Sequence, residues 1–99
     1  MRKGTTPTLT FRLPYTVDQL SDIKVTIAQD DVILEKRLDD FKASDTTVYV
    51  TLTQDETFLF DDDSVAEVQL RAVSTHGEAL ASKVYNFFVG RCLDKEVLK

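Results

Sequence analysis

Thr47-Val48-Tyr49-Val50-Thr51-Leu52-Thr53-Gln54-Asp55-Glu56-Thr57-Phe58-Leu59-Phe60 is the stretch on which the fold turns. It opens with a period of two: Val48, Val50 and Leu52 fall on one side, Tyr49 and Thr51 on the other. Successive side chains of an extended chain point to opposite faces, so this alternation specifies a strand with one buried face. The pattern breaks at Thr53-Gln54-Asp55-Glu56, a capping box in which Thr53 caps a helix start and Glu56 reaches back. Phe58, Leu59 and Phe60 follow at once. The sequence therefore predicts a single helical turn that buries one or two of them and is too short to stand alone.

Downstream, Asp61-Asp62-Asp63-Ser64 ends the turn, and Ala66, Val68, Leu70 and Ala72 alternate with Glu67, Gln69 and Arg71 in a half-buried strand. Ser74-Thr75-His76-Gly77-Glu78 reads as a glycine-containing hairpin loop. In the last strand, 79–89, Leu80, Ser82 and Val84 share one parity while Phe87 and Val89 have the other, which predicts a bulge near Val84-Tyr85. Upstream, 39–45 is a polar loop with Phe41 turned back onto the core. Ile23, Val25 and Ile27 pair with Val32, Leu34 and Leu38 in a hairpin around Gln29-Asp30-Asp31. Residues 15–22 are irregular or a helical turn, with Val17 and Leu20 three apart. Leu9, Phe11 and Leu13 share one face of a short edge strand bracketed by Pro7 and Pro14, neither of which can donate to a ladder.

These segments define an all-β protein: an immunoglobulin-like, two-sheet antiparallel β-sandwich of six or seven strands with one short helical turn. A small open barrel has the same strand count and stays open as the other architecture. The expected core is Leu9, Phe11, Val25, Ile27, Leu34, Val48, Val50, Leu52, Val68 and Leu70. The 99 residues suit one domain, with 1–6 and 91–99 as flexible or partner-contacting tails.

The chemistry of the chain points away from catalysis. A net charge of −5 with no basic stripe gives no general attraction to nucleic acid. No apolar run has the length of a secretory signal or a membrane span, so neither export by a leader nor membrane insertion is expected. The single cysteine, Cys92, cannot form an internal disulfide, and a catalytic thiol would need His76, the single histidine, as its base. One histidine with no nearby Cys or His makes no ordinary zinc site. Asp61, Asp62 and Asp63 lack the alternation, mid-loop glycine and terminal glutamate of a calcium loop, with Arg71 and Ala72 near that end, so they read as a solvated acidic turn. Asp30-Asp31 and Asp39-Asp40 read as turn and loop residues. Gly4, Gly77 and Gly90 are too scattered for a phosphate loop. Tyr15, Tyr49, Tyr85, Phe87 and Phe88 are candidates for a stacking platform, but without surrounding cations core packing accounts for the phenylalanines more simply. No catalytic, cofactor-binding or metal-binding residue is assigned, and no cofactor is expected. The expected protein is not an enzyme.

The opening Met1-Arg2-Lys3-Gly4-Thr5-Thr6-Pro7-Thr8-Leu9-Thr10-Phe11 resembles the start of small proteins encoded in phages and prophages of Firmicutes. The likeness continues in Val50-Thr51-Leu52-Thr53-Gln54, Phe58-Leu59-Phe60, Val68-Gln69-Leu70-Arg71 and Gly90-Arg91-Cys92-Leu93, and so runs over nearly the whole chain. In size, strand pattern and β-start these proteins resemble the immunoglobulin-like N-terminal domain of siphophage baseplate upper proteins. The resemblance implies a phage structural or accessory module of the tail or baseplate, made in the bacterial host cytoplasm, with the virion as a further location. Its implied partners are other virion proteins or further copies of itself. It carries no catalytic or ligand-binding residues with it. The Pro-bracketed first strand, the irregular last strand and the termini are the candidate contact surfaces. A protein that modulates a host protein, and a carbohydrate-binding module using exposed tyrosines, are the rival readings.

Overall fold

The computed structural model describes residues 1–37 and 42–99. The expectations for Leu38, Asp39, Asp40 and Phe41 lie outside the described residues. The strands are β1 (Thr8–Arg12), β2 (Leu20–Gln29), β3 (Val32–Arg37), β4 (Lys42–Ser44), β5 (Thr47–Thr51), β6 (Ser64–Ser74), β7 (Ala79–Ala81) and β8 (Tyr85–Val89). A 3₁₀ turn (Val17–Gln19) precedes β2, and the single helical turn α1 (Gln54–Thr57) separates β5 from β6. Among the described residues β7 and β8 both pair with β6 and follow one another along it, so the eight segments fill seven strand positions.

Two antiparallel sheets result, one in the order β1-β5-β4 and the other β3-β2-β6 with β7 and β8 at its edge. The immunoglobulin-like two-sheet sandwich is therefore what forms. The two strand orders correspond to B-E-D and C′-C-F-G of the immunoglobulin scheme, with no strand in the A position of the smaller sheet among the described residues. Here β2 and β3 lie side by side, because Asp30-Asp31 is a two-residue turn that holds Gln29 opposite Val32. Asp30 takes the left-handed conformation (φ 50°) that such tight hairpins need and that Asp tolerates.

The core forms where the inward faces meet. Phe11, Val48, Val50 and Leu52 come from the smaller sheet and its exit, Ile23, Val25, Ile27, Ala66, Val68, Leu70 and Ala72 from the larger, and Phe60 from beyond α1. Eight of the ten expected core residues are buried; Leu9 and Leu34 are half-buried against the cluster. The capping box forms as its sequence prescribes: Glu56 N donates to Thr53 Oγ1 (3.1 Å), and Thr53 N donates to Glu56 Oε1 (2.9 Å). Phe60 is buried, Phe58 half-buried and Leu59 exposed.

The bulge also forms. From Arg71 to Val68 is three steps on β6, while their partners Ala81 and Tyr85 are four steps apart. Ser82 fills the break: its N–H donates to Leu70 O (2.8 Å) and its Oγ accepts from Leu70 N (3.0 Å). The extra residue flips the parity and so turns Phe87 and Val89 inward.

Candidate functional site

The smaller sheet has three strand positions and the larger has four. On one side the chain passes from Arg37 at the end of β3 to Lys42 at the start of β4. The extra strand position of the larger sheet lies on the opposite side, where β1 faces β8. The result is a groove of about 750 Å³ between the two edges, walled by Leu9, Phe11 and Leu13 of β1 and by Val68, Leu70 and Phe87 of the larger sheet.

Tyr85 shows where the cover stops. It stands opposite Val68 in the β6–β8 ladder, so both side chains lie on the inward face. Yet Val68 is 6% exposed and Tyr85 51%. The smaller sheet ends between them.

Among the described residues the outer edge of β1 has no ladder partner. Leu13 N donates to Thr46 O (2.7 Å) and Leu52 N donates to Pro7 O (2.9 Å), so the odd-numbered residues of β1 turn their polar groups toward β5. Backbone groups alternate in direction along a strand, so Thr8, Thr10 and Arg12 present their N–H and C=O groups to the groove side. Pro14 ends that row, having no N–H to offer. On the other wall, Met1 N donates to Phe88 O (2.7 Å), Gly90 N to Met1 O (2.6 Å) and Lys3 N to Gly90 O (2.9 Å). The first residues, assigned by sequence to a tail, thus lie against the outer edge of β8 in a parallel bridge, Arg2 beside Gly90. The chain then reverses at Gly4 (φ 78°), whose N–H donates to Thr57 Oγ1 (2.9 Å). A Cβ there would come within 3.0 Å of the Phe58 ring and 3.2 Å of Cys92 Sγ.

Both ends of the groove are pinned. At one end the Met1–Lys3 segment is held by the buried Lys3, whose Nζ lies 2.9 Å from Asp62 Oδ1, a buried oxygen with no other hydrogen-bond partner among the described residues. The Lys3 hydrogen bond holds the Asp62 carboxyl below its usual range, against desolvation. At the other end, Tyr15 Oη donates to Glu78 Oε2 (2.5 Å), linking the exit of β1 to the entry of β7. The hydrogen bond to the Glu78 carboxylate, with smaller help from desolvation and charge, raises the Tyr15 pKa.

The sequence's other candidates disperse. His76 is exposed in the hairpin loop, and Cys92 is half-buried with its thiol donating to Asp94 O (2.9 Å). They stand at opposite ends of β6, a strand of 11 residues, so roughly 30 Å of ladder separates them. No group of three metal-ligating side chains occurs among the described residues. Of the acidic turn, Asp62 serves Lys3, while Asp61 N donates to Gln29 Oε1 (2.5 Å). Tyr49 lies on the outer face of the smaller sheet, Tyr85 in the groove and Phe88 on the outer face of the larger sheet, so they share no platform. No helix among the described residues is long and apolar enough to cross a membrane. What the structure does join are two features the sequence marked separately, the Pro-bracketed first strand and the bulged last strand.

Fold and groove together define a β-sandwich with one side open between two strand edges. No family model matches the chain, and no curated protein or solved structure matches it.

Proposed function

We propose that this protein is a non-enzymatic assembly module that binds another protein through the open side of its sandwich. The observation that carries this is the groove itself. Its walls are apolar, one edge keeps unpaired backbone groups, and the two strands that form it are the ones marked as contact surfaces by sequence. Open strand edges are ordinarily blocked or covered in proteins that act alone. In the setting that the sequence resemblance implies, the module belongs to a phage tail or baseplate, where repetition makes weak single contacts strong.

The test is chemical cross-linking of purified virions of the encoding phage, followed by mass spectrometry. Peptides of this chain are expected there, cross-linked to a tail protein through Lys83, which is exposed in the bulge beside the groove. A virion preparation free of these peptides would refute the virion assignment and turn attention to a host protein as partner.

A further inference from the structure

We propose that the groove takes an extended segment of another protein as a fourth strand of the smaller sheet, paired to the outer edge of β1. This rests on the assembly reading above and names what that partner presents. Strand addition at an edge draws affinity from backbone hydrogen bonds and specificity from alternate side chains. Both components are in place here. Among the described residues Thr8, Thr10 and Arg12 supply three residues of backbone with no ladder partner, and the fourth position of the larger sheet supplies a floor of exposed Tyr85 and half-buried Phe87. The other wall already behaves this way within the chain itself, since Met1–Lys3 adds to the outer edge of β8.

The side chains of an added strand follow from its register. Residues opposite Thr8, Thr10 and Arg12 stand on the outer face beside those side chains, because directly paired residues share a face. Thr8 and Thr10 favour Thr or Ser there. Arg12 is the one charged residue among those lining the groove, with its side chain on the outer face at the rim, and it makes no ion pair among the described residues. It favours Asp or Glu opposite. The residues between them point inward over Tyr85 and Phe87 and should be apolar.

A second whole copy does not fit the same edge. Symmetric pairing of two β1 strands about Thr10 would place both larger sheets on the same side of the joined smaller sheets. Each overhangs β1 by one strand position, so the two β8 edges would collide. The overhang admits one extended segment and excludes a second sandwich, which is how an edge can stay available without inviting self-association.

The test selects a displayed library of random dodecapeptides against the full chain, then measures synthetic versions of the enriched peptides by calorimetry. Two variants accompany it. Thr10→Pro removes the middle N–H of the free edge, while the ladder to β5 runs through Leu9 and Phe11. Arg12→Glu reverses the rim charge. The expected peptides alternate apolar and hydroxyl residues around one carboxylate and bind one per chain. They shield the amides of Thr8, Thr10 and Arg12 from hydrogen exchange. Affinity should fall about tenfold or more in Thr10→Pro and about fivefold in Arg12→Glu. Should Thr10→Pro not fold, the exchange pattern of the unaltered chain decides the same question.

Peptides that bind Thr10→Pro equally well, or that shield the outer face around Val65 and Phe88, would overturn strand addition while leaving the assembly reading intact. So would protection of the β1 edge amides in the peptide-free chain together with self-association, which would make a second copy the occupant. Failure to enrich any peptide also overturns strand addition, and the virion measurement then judges the assembly reading alone.

Discussion

Gln29 ends β2 with its side chain withdrawn from solvent and its carboxamide turned toward the acidic turn. Its Nε2 donates to Ser64 Oγ (2.7 Å) and Asp61 O (3.2 Å), and its Oε1 accepts from Asp61 N (2.5 Å). Replacing it with Leu leaves the partly buried groups of Asp61 and Ser64 without this partner, so Gln29→Leu should cost about 1 kcal/mol in urea unfolding. Beside Asp30 and Asp31, this residue reads in sequence as turn chemistry. Its true partners lie more than thirty positions away, and nothing local announces them. Two carboxylates contribute to the response to acid. At Glu56, burial alone would raise the pKa, but the Lys36 ammonium (2.5 Å) and the Thr53 N–H outweigh it and hold the pKa low. Asp62 is held low by Lys3. A folded pKa below the unfolded one contributes stability that is complete above the ordinary values of 4.5 and 3.8 and is lost as pH falls through the lower folded values. Urea unfolding from about pH 7 to about pH 3 should therefore show stability falling below roughly pH 4.5. Lys36→Met should flatten that fall.

Among the elements, α1 was legible because everything it needs lies within four residues. Thr53 and Glu56 exchange their two hydrogen bonds wherever the chain places them. Thr53→Ala should cost about 1 kcal/mol, read as a lowered urea midpoint at unchanged slope. The bulge was legible for a related reason: a change of parity between Leu80 and Phe87 forces one extra residue into the strand. Beyond the Asp30-Asp31 hairpin, sheet membership was not legible. Alternation shows that a strand has an inward face, and it is silent on which neighbour shares its sheet. The two-residue Asp30-Asp31 turn argued for a hairpin, and the structure follows that local signal by keeping β2 and β3 together. The start of β2 ran further than its pattern suggested. The strand begins at Leu20, ahead of Ile23, across an irregularity between Leu20 and Asp22 that hides the period.

On the scale of the whole molecule, the core draws on both sheets, and Leu70 at its centre is fully buried. Leu70→Ala should cost about 3 kcal/mol in denaturant unfolding, the toll of lost contacts plus the cavity left behind. The groove was half legible. Its two walls were marked individually by prolines and by a parity break, but their meeting depends on three strand positions facing four. That count emerges only when every pairing is known. The docking of Met1–Lys3 had no periodic signal at all, because a parallel bridge of three residues needs none.

That bridge joins the beginning of the chain to Phe88 and Gly90. A nascent polypeptide emerging from the ribosome can pair β2 with β3 early, since that hairpin is local. It cannot dock Met1–Lys3 until Gly90 has cleared the exit tunnel, and contacts of such long separation form late. Until then the outer edge of β8 does not exist and Met1–Lys3 stay undocked. The seam at that end of the groove is therefore sewn last, after β6 and β8 have emerged and paired. A partner strand waiting for β1 would meet its completed site only after that moment.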